Sequence, residues 1–186
     1  MTNVIGDLTV SVERTVDVDG ETVFDVLADP ATLGGVDRVA RDENPDAGGR
    51  EGAPGSGVRD PPPRLRCGDT FVGEVAAPAR SDADRAPDVG AGATPGTAFE
   101  SYFTVEGHDA GRLVLSGGGD ADAGSFDARV VVAVADVPGG AVVRVDATMD
   151  VAGRVASRGA RRVRAAATAV LERYLSSVER AAASPA

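Results

Sequence analysis

The chain has 186 residues, 42% hydrophobic and 4% aromatic with no Trp, and its 29 acidic against 19 basic residues give a formal net charge of -10. That suits one domain with a core of its own, and so acidic a surface excludes nucleic acid as a partner and repels anionic lipid headgroups. With one cysteine, Cys67, and one histidine, His108, the chain can form no internal disulfide, His-rich zinc site or paired-Cys motif.

Residues 7–18, DLTVSVERTVDV, alternate with period two. Leu8, Val10, Val12, Val16 and Val18 fall on one side, interrupted only by Arg14, which predicts a half-buried strand. In DGETVFDVLADP, Asp19 or Gly20 caps a short helix with Glu21 in its first turn, Val23, Phe24 and Leu27 share a face, and Pro30 ends it. A second short helical turn, ATLGG, follows around Leu33.

Residues 41–66 and 77–96 are crowded with Gly, Pro and charge and nearly empty of apolar anchors. They cannot offset their own ordering entropy, and we read both as loop insertions, the first carrying at most one short edge strand. Strand patterns return at 69–76 (Phe71 and Val75 on one face), 97–107 (Phe99, Phe103 and Val105 against Glu100, Tyr102 and Glu106), 112–117, 125–137 (Phe126, Val130, Val132 and Val134) and 141–151 (Val143, Val145 and Met149). Short consecutive strands with tight turns predict an antiparallel meander. A long helix closes the chain, from about Gly153 to Ala183. Val155, Val163, Ala167, Val170, Tyr174 and Val178 form its apolar stripe, and residues 184–186 are a frayed tail.

The expected architecture is a single α+β domain over 1–183: a curved antiparallel sheet wrapped around a long C-terminal helix, with two short helices after the first strand. A sheet that wraps a helix with few bulky side chains leaves a cavity. Phe24, Leu27, Phe71, Phe99, Phe103, Phe126, Val170 and Tyr174 are the candidate ligand-binding walls of that space, and Tyr174 and Arg14 are the polar groups placed to orient a ligand carbonyl.

Two stretches carry a family resemblance. VDGETVFDVLADPATL at 18–33 resembles the V-[FW]-x-x-L-x-D-P opening of the SRPBCC (START/polyketide cyclase-like) superfamily. MDVAGRVASRGARRV at 149–163, followed by AAATAVLERY at 165–174, is similar to the G-[KR]-[ILV]-A-x-x-G turn and long helix of one branch of it, the G-type accessory proteins of carbon monoxide dehydrogenase. The resemblance covers roughly 8–40, 69–76 and 97–180, and neither loop insertion has a counterpart in it. It implies a helix-grip fold. It also implies a non-catalytic protein that binds a quinone or other apolar, lipid-like molecule, accessory to a molybdenum-containing carbon monoxide dehydrogenase-like enzyme. A polyketide cyclase/dehydratase-like enzyme and a chaperone-activator-like interaction domain are the alternatives within the superfamily.

The remaining polar residues offer little catalytic chemistry. His108 is read as a solvated turn residue, and Cys67, though near Arg64 and Arg66, has no His partner and is read as a passive thiol. Asp120-Ala-Asp122-Ala-Gly124 begins like a calcium loop, but Val131 stands where the closing acidic ligand would be, about twelve positions from the start. The glycines at 90–96 neither follow a strand nor open a helix, so they make a weak phosphate loop. No catalytic residue, metal ligand or covalently bound cofactor is expected. Every basic residue except His108 is Arg, and Arg158, Arg161 and Arg162 belong to the one basic concentration. They are either a docking face for an acidic partner or a solvated helix face. The overall acidity reads as adaptation to a salty, halophilic cytoplasm, and the N-terminus has no signal-peptide pattern. No window reaches about 18 uninterrupted apolar residues, so no transmembrane segment is expected and any membrane contact would be peripheral.

Overall fold

The computed structural model describes residues 3–29, 38–40, 65–76, 98–109 and 111–184. The two expected loop insertions, apart from Leu65 and Arg66, and the second short helix around Leu33 lie outside the described residues, as does the very end of the tail. Strand β1 (Val4–Val16) leads to α1 (Gly20–Leu27). The strands β2 (Arg38–Ala40), β3 (Thr70–Ala76), β4 (Ala98–Asp109), β5 (Arg112–Ala121), β6 (Gly124–Val137) and β7 (Gly140–Gly153) follow. A single 3-10 turn (Ala156–Arg158) precedes α2 (Ala160–Ala182).

All seven strands join one antiparallel sheet in the order β1-β7-β6-β5-β4-β3-β2. From β2 onward each strand pairs with the next, as an antiparallel meander does, while β1 closes against the last strand. The chain between β1 and β2 therefore crosses from one edge of the sheet to the other. The alternation seen in the sequence sets the inner face: Leu8, Val10, Val12 and Val16 of β1 are buried, and Val143, Val145, Ala147 and Val151 of β7 continue the same layer. In β1 a bulge between Ile5 and Leu8 puts Asp7 in the left-handed region (φ 52°), where its N–H donates to Asp150 Oδ1 at 2.8 Å.

Asp19 caps α1 as expected, its carboxylate accepting from the Thr22 N–H and the Thr22 hydroxyl, both at 2.9 Å. Those two bonds also draw the Asp19 carboxyl below its ordinary pKa. The Gly20 N–H donates to Asp136 Oδ1 at 2.8 Å, which seats the start of α1 on the end of β6. Val23 and Leu27 are then fully buried.

The long helix begins later than the periodicity suggests. Gly153 (φ 85°) ends β7 and Gly159 (φ 88°) precedes α2, so residues 154–159 form a turn rather than the first turn of the helix. Val163, Leu175, Val178 and Ala182 bury the side of α2 that faces the sheet, and Arg14 of β1 donates to Ser176 Oγ at 2.6 Å and to Glu179 Oε2 at 3.2 Å. The edge strand β2, three residues long, lies just before the first loop insertion, where the sequence pattern gives no strand. Among the described residues no helix is long and apolar enough to cross a membrane.

Candidate functional site

The buried residues fall into two clusters. The larger gathers Val16, Val23, Leu27, Leu65, Leu113, Val143, Leu175 and Val178 around α1 and the C-terminal half of α2. The smaller gathers Leu8, Val151, Ala156 and Val163 at the junction of β7 and α2. Between them lies a cavity of about 450 Å³, lined both by Phe71, Leu115 and Val145 of the first cluster and by Val151 and Val163 of the second. Its floor is the sheet and its roof is one stripe of α2: Val163, Ala166, Ala167, Val170, Leu171, Arg173, Tyr174 and Ser177.

The room comes from residues that put little or nothing into the interior. On β5 the inward row that starts with Leu113 and Leu115 continues as glycines: Gly117 pairs with Phe103 and Ala128, and Gly119 with Ser101 and Phe126. A Cβ on Gly117 would lie 2.9 Å from Phe103 Cδ1, and one on Gly119 would lie 2.7 Å from Phe126 Cε1. Those rings therefore lie down over the glycines instead of standing into the space. Across the cavity Ala166 and Ala167 face it from the helix.

Four of the five phenylalanines make one wall. Phe71 stacks on Phe103 at 5.7 Å between centroids, Phe103 meets Phe126 at 6.5 Å, and Phe126 takes Phe99 edge-on at 5.4 Å. Such pairs are worth about 0.5–1.5 kcal/mol each beyond area burial, so the wall is preformed.

Six of the eight residues anticipated from the sequence thus surround one cavity: Phe71, Phe99, Phe103, Phe126, Val170 and Tyr174. Phe24 and Leu27 do not line it. Leu27 is sealed in the larger cluster and Phe24 packs half-buried against it, its ring 5.1 Å from that of His108. Helical spacing gives α1 an apolar face, but that face closes the opposite end of the sheet. Arg14 does not reach the cavity either, since its guanidinium is held by Ser176 and Glu179.

Tyr174 is the unusual member. Its ring lines the cavity, but its hydroxyl is buried and has no hydrogen-bond partner among the described residues. Burial pushes the phenol above its ordinary pKa. An unpaired buried donor costs about 1–3 kcal/mol. Tyr174→Phe is therefore expected to raise the stability of the empty protein by about 1 kcal/mol in denaturant titration. The phenol stays neutral in the folded chain but ionises near its ordinary value of about 10 when unfolded. Its contribution is therefore complete below that pH and is lost as the pH rises. The wild-type unfolding midpoint should fall more steeply than that of Tyr174→Phe above about pH 10; parallel curves would show that the phenol is not held neutral.

The remaining polar candidates stand apart from the cavity. Cys67 is exposed and its thiol donates to the Glu106 carbonyl at 3.2 Å. His108 is exposed near the end of β4, and Asp120 and Asp122 are exposed at the β5–β6 hairpin. No group of three or more His, Cys, Asp or Glu among the described residues could hold a metal ion. The segment 90–96 lies outside the described residues. Arg158 in the 3-10 turn and Arg161 and Arg162 in the first turn of α2 are exposed and form no ion pair among the described residues. Their neighbours Arg154 and Arg164 donate to backbone carbonyls of Asp122 (2.9 Å) and Thr9 (3.3 Å). A second, more open depression, lined largely by polar residues, lies on the convex face among Asp7, Tyr102, Asp127, Arg129 and Asp150.

No protein-family model matches the chain, and no curated protein is significantly similar to it in sequence. Solved structures do share its fold. An uncharacterized protein from Rhizobium leguminosarum superposes with a TM-score of 0.60 at 14% identity, over 98% of this chain and 97% of that one. A conserved protein from Geobacillus kaustophilus gives 0.57 at 13% identity, over 98% and 95%. The di-domain ARO/CYC StfQ from the steffimycin biosynthetic pathway gives 0.55 at 13% identity, over 97% of this chain and 49% of StfQ. The architecture is the helix-grip fold: a curved antiparallel sheet closed over a long C-terminal helix.

Proposed function

We propose that this protein binds one apolar small molecule between the sheet and α2 and carries it without chemically changing it. The observation that carries this reading is the cavity itself. It is large enough for a molecule of several rings, walled by four phenylalanines that touch in a chain, and its polar side chains among the described residues, Arg173, Tyr174 and Ser177, all belong to one helix. Acid–base and nucleophilic catalysis work through titratable groups held against the reacting atom, and three groups on one wall, one of them a neutral phenol, suit orientation of a bound molecule better than turnover. A quinone or a comparable lipid-like molecule is the cargo we favour, in keeping with the resemblance to the accessory proteins of carbon monoxide dehydrogenase.

The test is native mass spectrometry with organic extraction of the protein purified in high salt. A co-purifying quinone or other apolar molecule near a one-to-one ratio is expected. Clean empty protein that also fails to bind added quinone would overturn the carrier reading in favour of the cyclase-like alternative.

The accessory role toward a molybdenum-containing dehydrogenase is part of the same proposal, with Arg158, Arg161 and Arg162 as the docking face. Three cations at the positive end of a helix, without an ion pair among the described residues, oppose its dipole by a few tenths of a kcal/mol each. A partner carrying acidic groups would offset that cost. Changing all three to Gln should leave stability unchanged or slightly raised and weaken capture of the dehydrogenase, and undiminished capture would remove them from the interface.

A further inference from the structure

We propose that Tyr174 selects the ligand: its hydroxyl donates a hydrogen bond to an acceptor oxygen carried by a neutral, otherwise apolar molecule. This rests on the apolar-ligand reading above and narrows it to a chemical class, a ring system with a carbonyl or ether oxygen at one edge.

The polar groups lining the cavity are not equivalent. Ser177 Oγ donates to the Arg173 carbonyl at 3.1 Å and accepts from Arg180 Nη2 at 3.2 Å, so it is already satisfied. Arg173 is exposed and already engaged. That leaves the Tyr174 hydroxyl as the lining side-chain group without a partner among the described residues. Tyr174 lines the cavity, while its hydroxyl oxygen is closed off from solvent in the empty protein. The neighbours one and two turns back along the helix stripe, Val170 and Ala167, are small. Ligand entry that swings the side chain about χ1 brings the hydroxyl into the cavity, and a ligand acceptor gives it the bond that the empty protein lacks. The Phe103 and Phe126 rings stand on the opposite side to receive the apolar body. A carboxylate seated on the Tyr174 hydroxyl would meet one neutral donor, with the Arg173 guanidinium already engaged and turned to solvent, which does not compensate a buried charge. The ligand is therefore neutral.

Fluorene and 9-fluorenone differ only by exchange of a methylene for a carbonyl, and equilibrium dialysis of both against wild type and Tyr174→Phe forms a closed comparison. The preference for fluorenone over fluorene is expected to be about fivefold greater in wild type than in the Phe variant, the fold-change equivalent to about 1 kcal/mol for one hydrogen bond. It should stay constant from about pH 6 to 9, because the buried phenol remains neutral throughout. Equal preference in both proteins, with both probes bound, overturns the role of Tyr174 and leaves the apolar site standing. Failure of both probes to bind either protein overturns the site and this inference with it.

Discussion

Gly117→Val is expected to destabilise the protein by at least about 3 kcal/mol, enough to unfold a marginal domain. A Cβ at this position would fall 2.0 Å from the Tyr102 carbonyl oxygen and 2.8 Å from Phe103 Cα, both backbone atoms of the neighbouring strand. Rotamer change cannot relieve such a clash, so β4 and β5 would have to separate along the stretch where Phe103 pairs with Gly117. Gly107→Ala is the control, since its Cβ would meet only Val114 side-chain atoms at 3.8 Å and beyond. That change should cost no more than about 1 kcal/mol. Guanidinium titration of the two variants measures the difference. A Gly117→Val protein within about 1 kcal/mol of wild type would mean that the strands yield freely and that glycine is not what lets the rings lie flat.

The same glycines mark where the sequence is hard to read. Alternation in β1, β6 and β7 is plain because Val and Leu recur at every second position along most of each strand; β6 and β7 extend the expected strands slightly, and β1 starts three residues earlier and stops two sooner than expected. In β5 the pattern stops at Gly117, because Gly117-Gly118-Gly119-Asp120 reads as a turn, yet the strand runs on to Ala121. Glycine inside a strand signals close approach of other groups, and here those groups are the Phe103 and Phe126 rings. The cavity is legible through its bulky members and illegible through its empty ones: Gly117, Gly119, Ala128, Ala147, Ala166 and Ala167 shape it by what they lack. Phe24 and Leu27 are misplaced by the sequence pattern for a different reason. Periodicity tells which residues share a face of α1, but not which end of the sheet that face closes. The late start of α2 has a local cause: Arg154 to Arg158 carry no feature that forbids helix, so the apolar periodicity runs through the turn that Gly153 and Gly159 make with their positive φ.

Ala167→Trp should abolish ligand binding while leaving the fold intact. Ala167 shares the cavity stripe of α2 with Val163, Val170 and Tyr174, so an indole there projects toward the phenylalanine wall and occupies the volume the ligand needs. Overpacking normally destabilises a core because no space exists for the added atoms. Here the space is already open, and filling it replaces a void with contacts, so stability should hold or rise by about 0.5–2 kcal/mol. Affinity for 9-fluorenone should fall at least about 100-fold, close to 2.7 kcal/mol. Ala165→Trp, on an exposed position of the same helix, adds the same side chain outside the cavity and should leave the affinity unchanged. If Ala167→Trp bound the probe as wild type does, the molecule would have to sit elsewhere. The polar depression around Tyr102 and Asp127 on the convex face would then be the place to look, and a site of that character would favour a polar ligand over an apolar one.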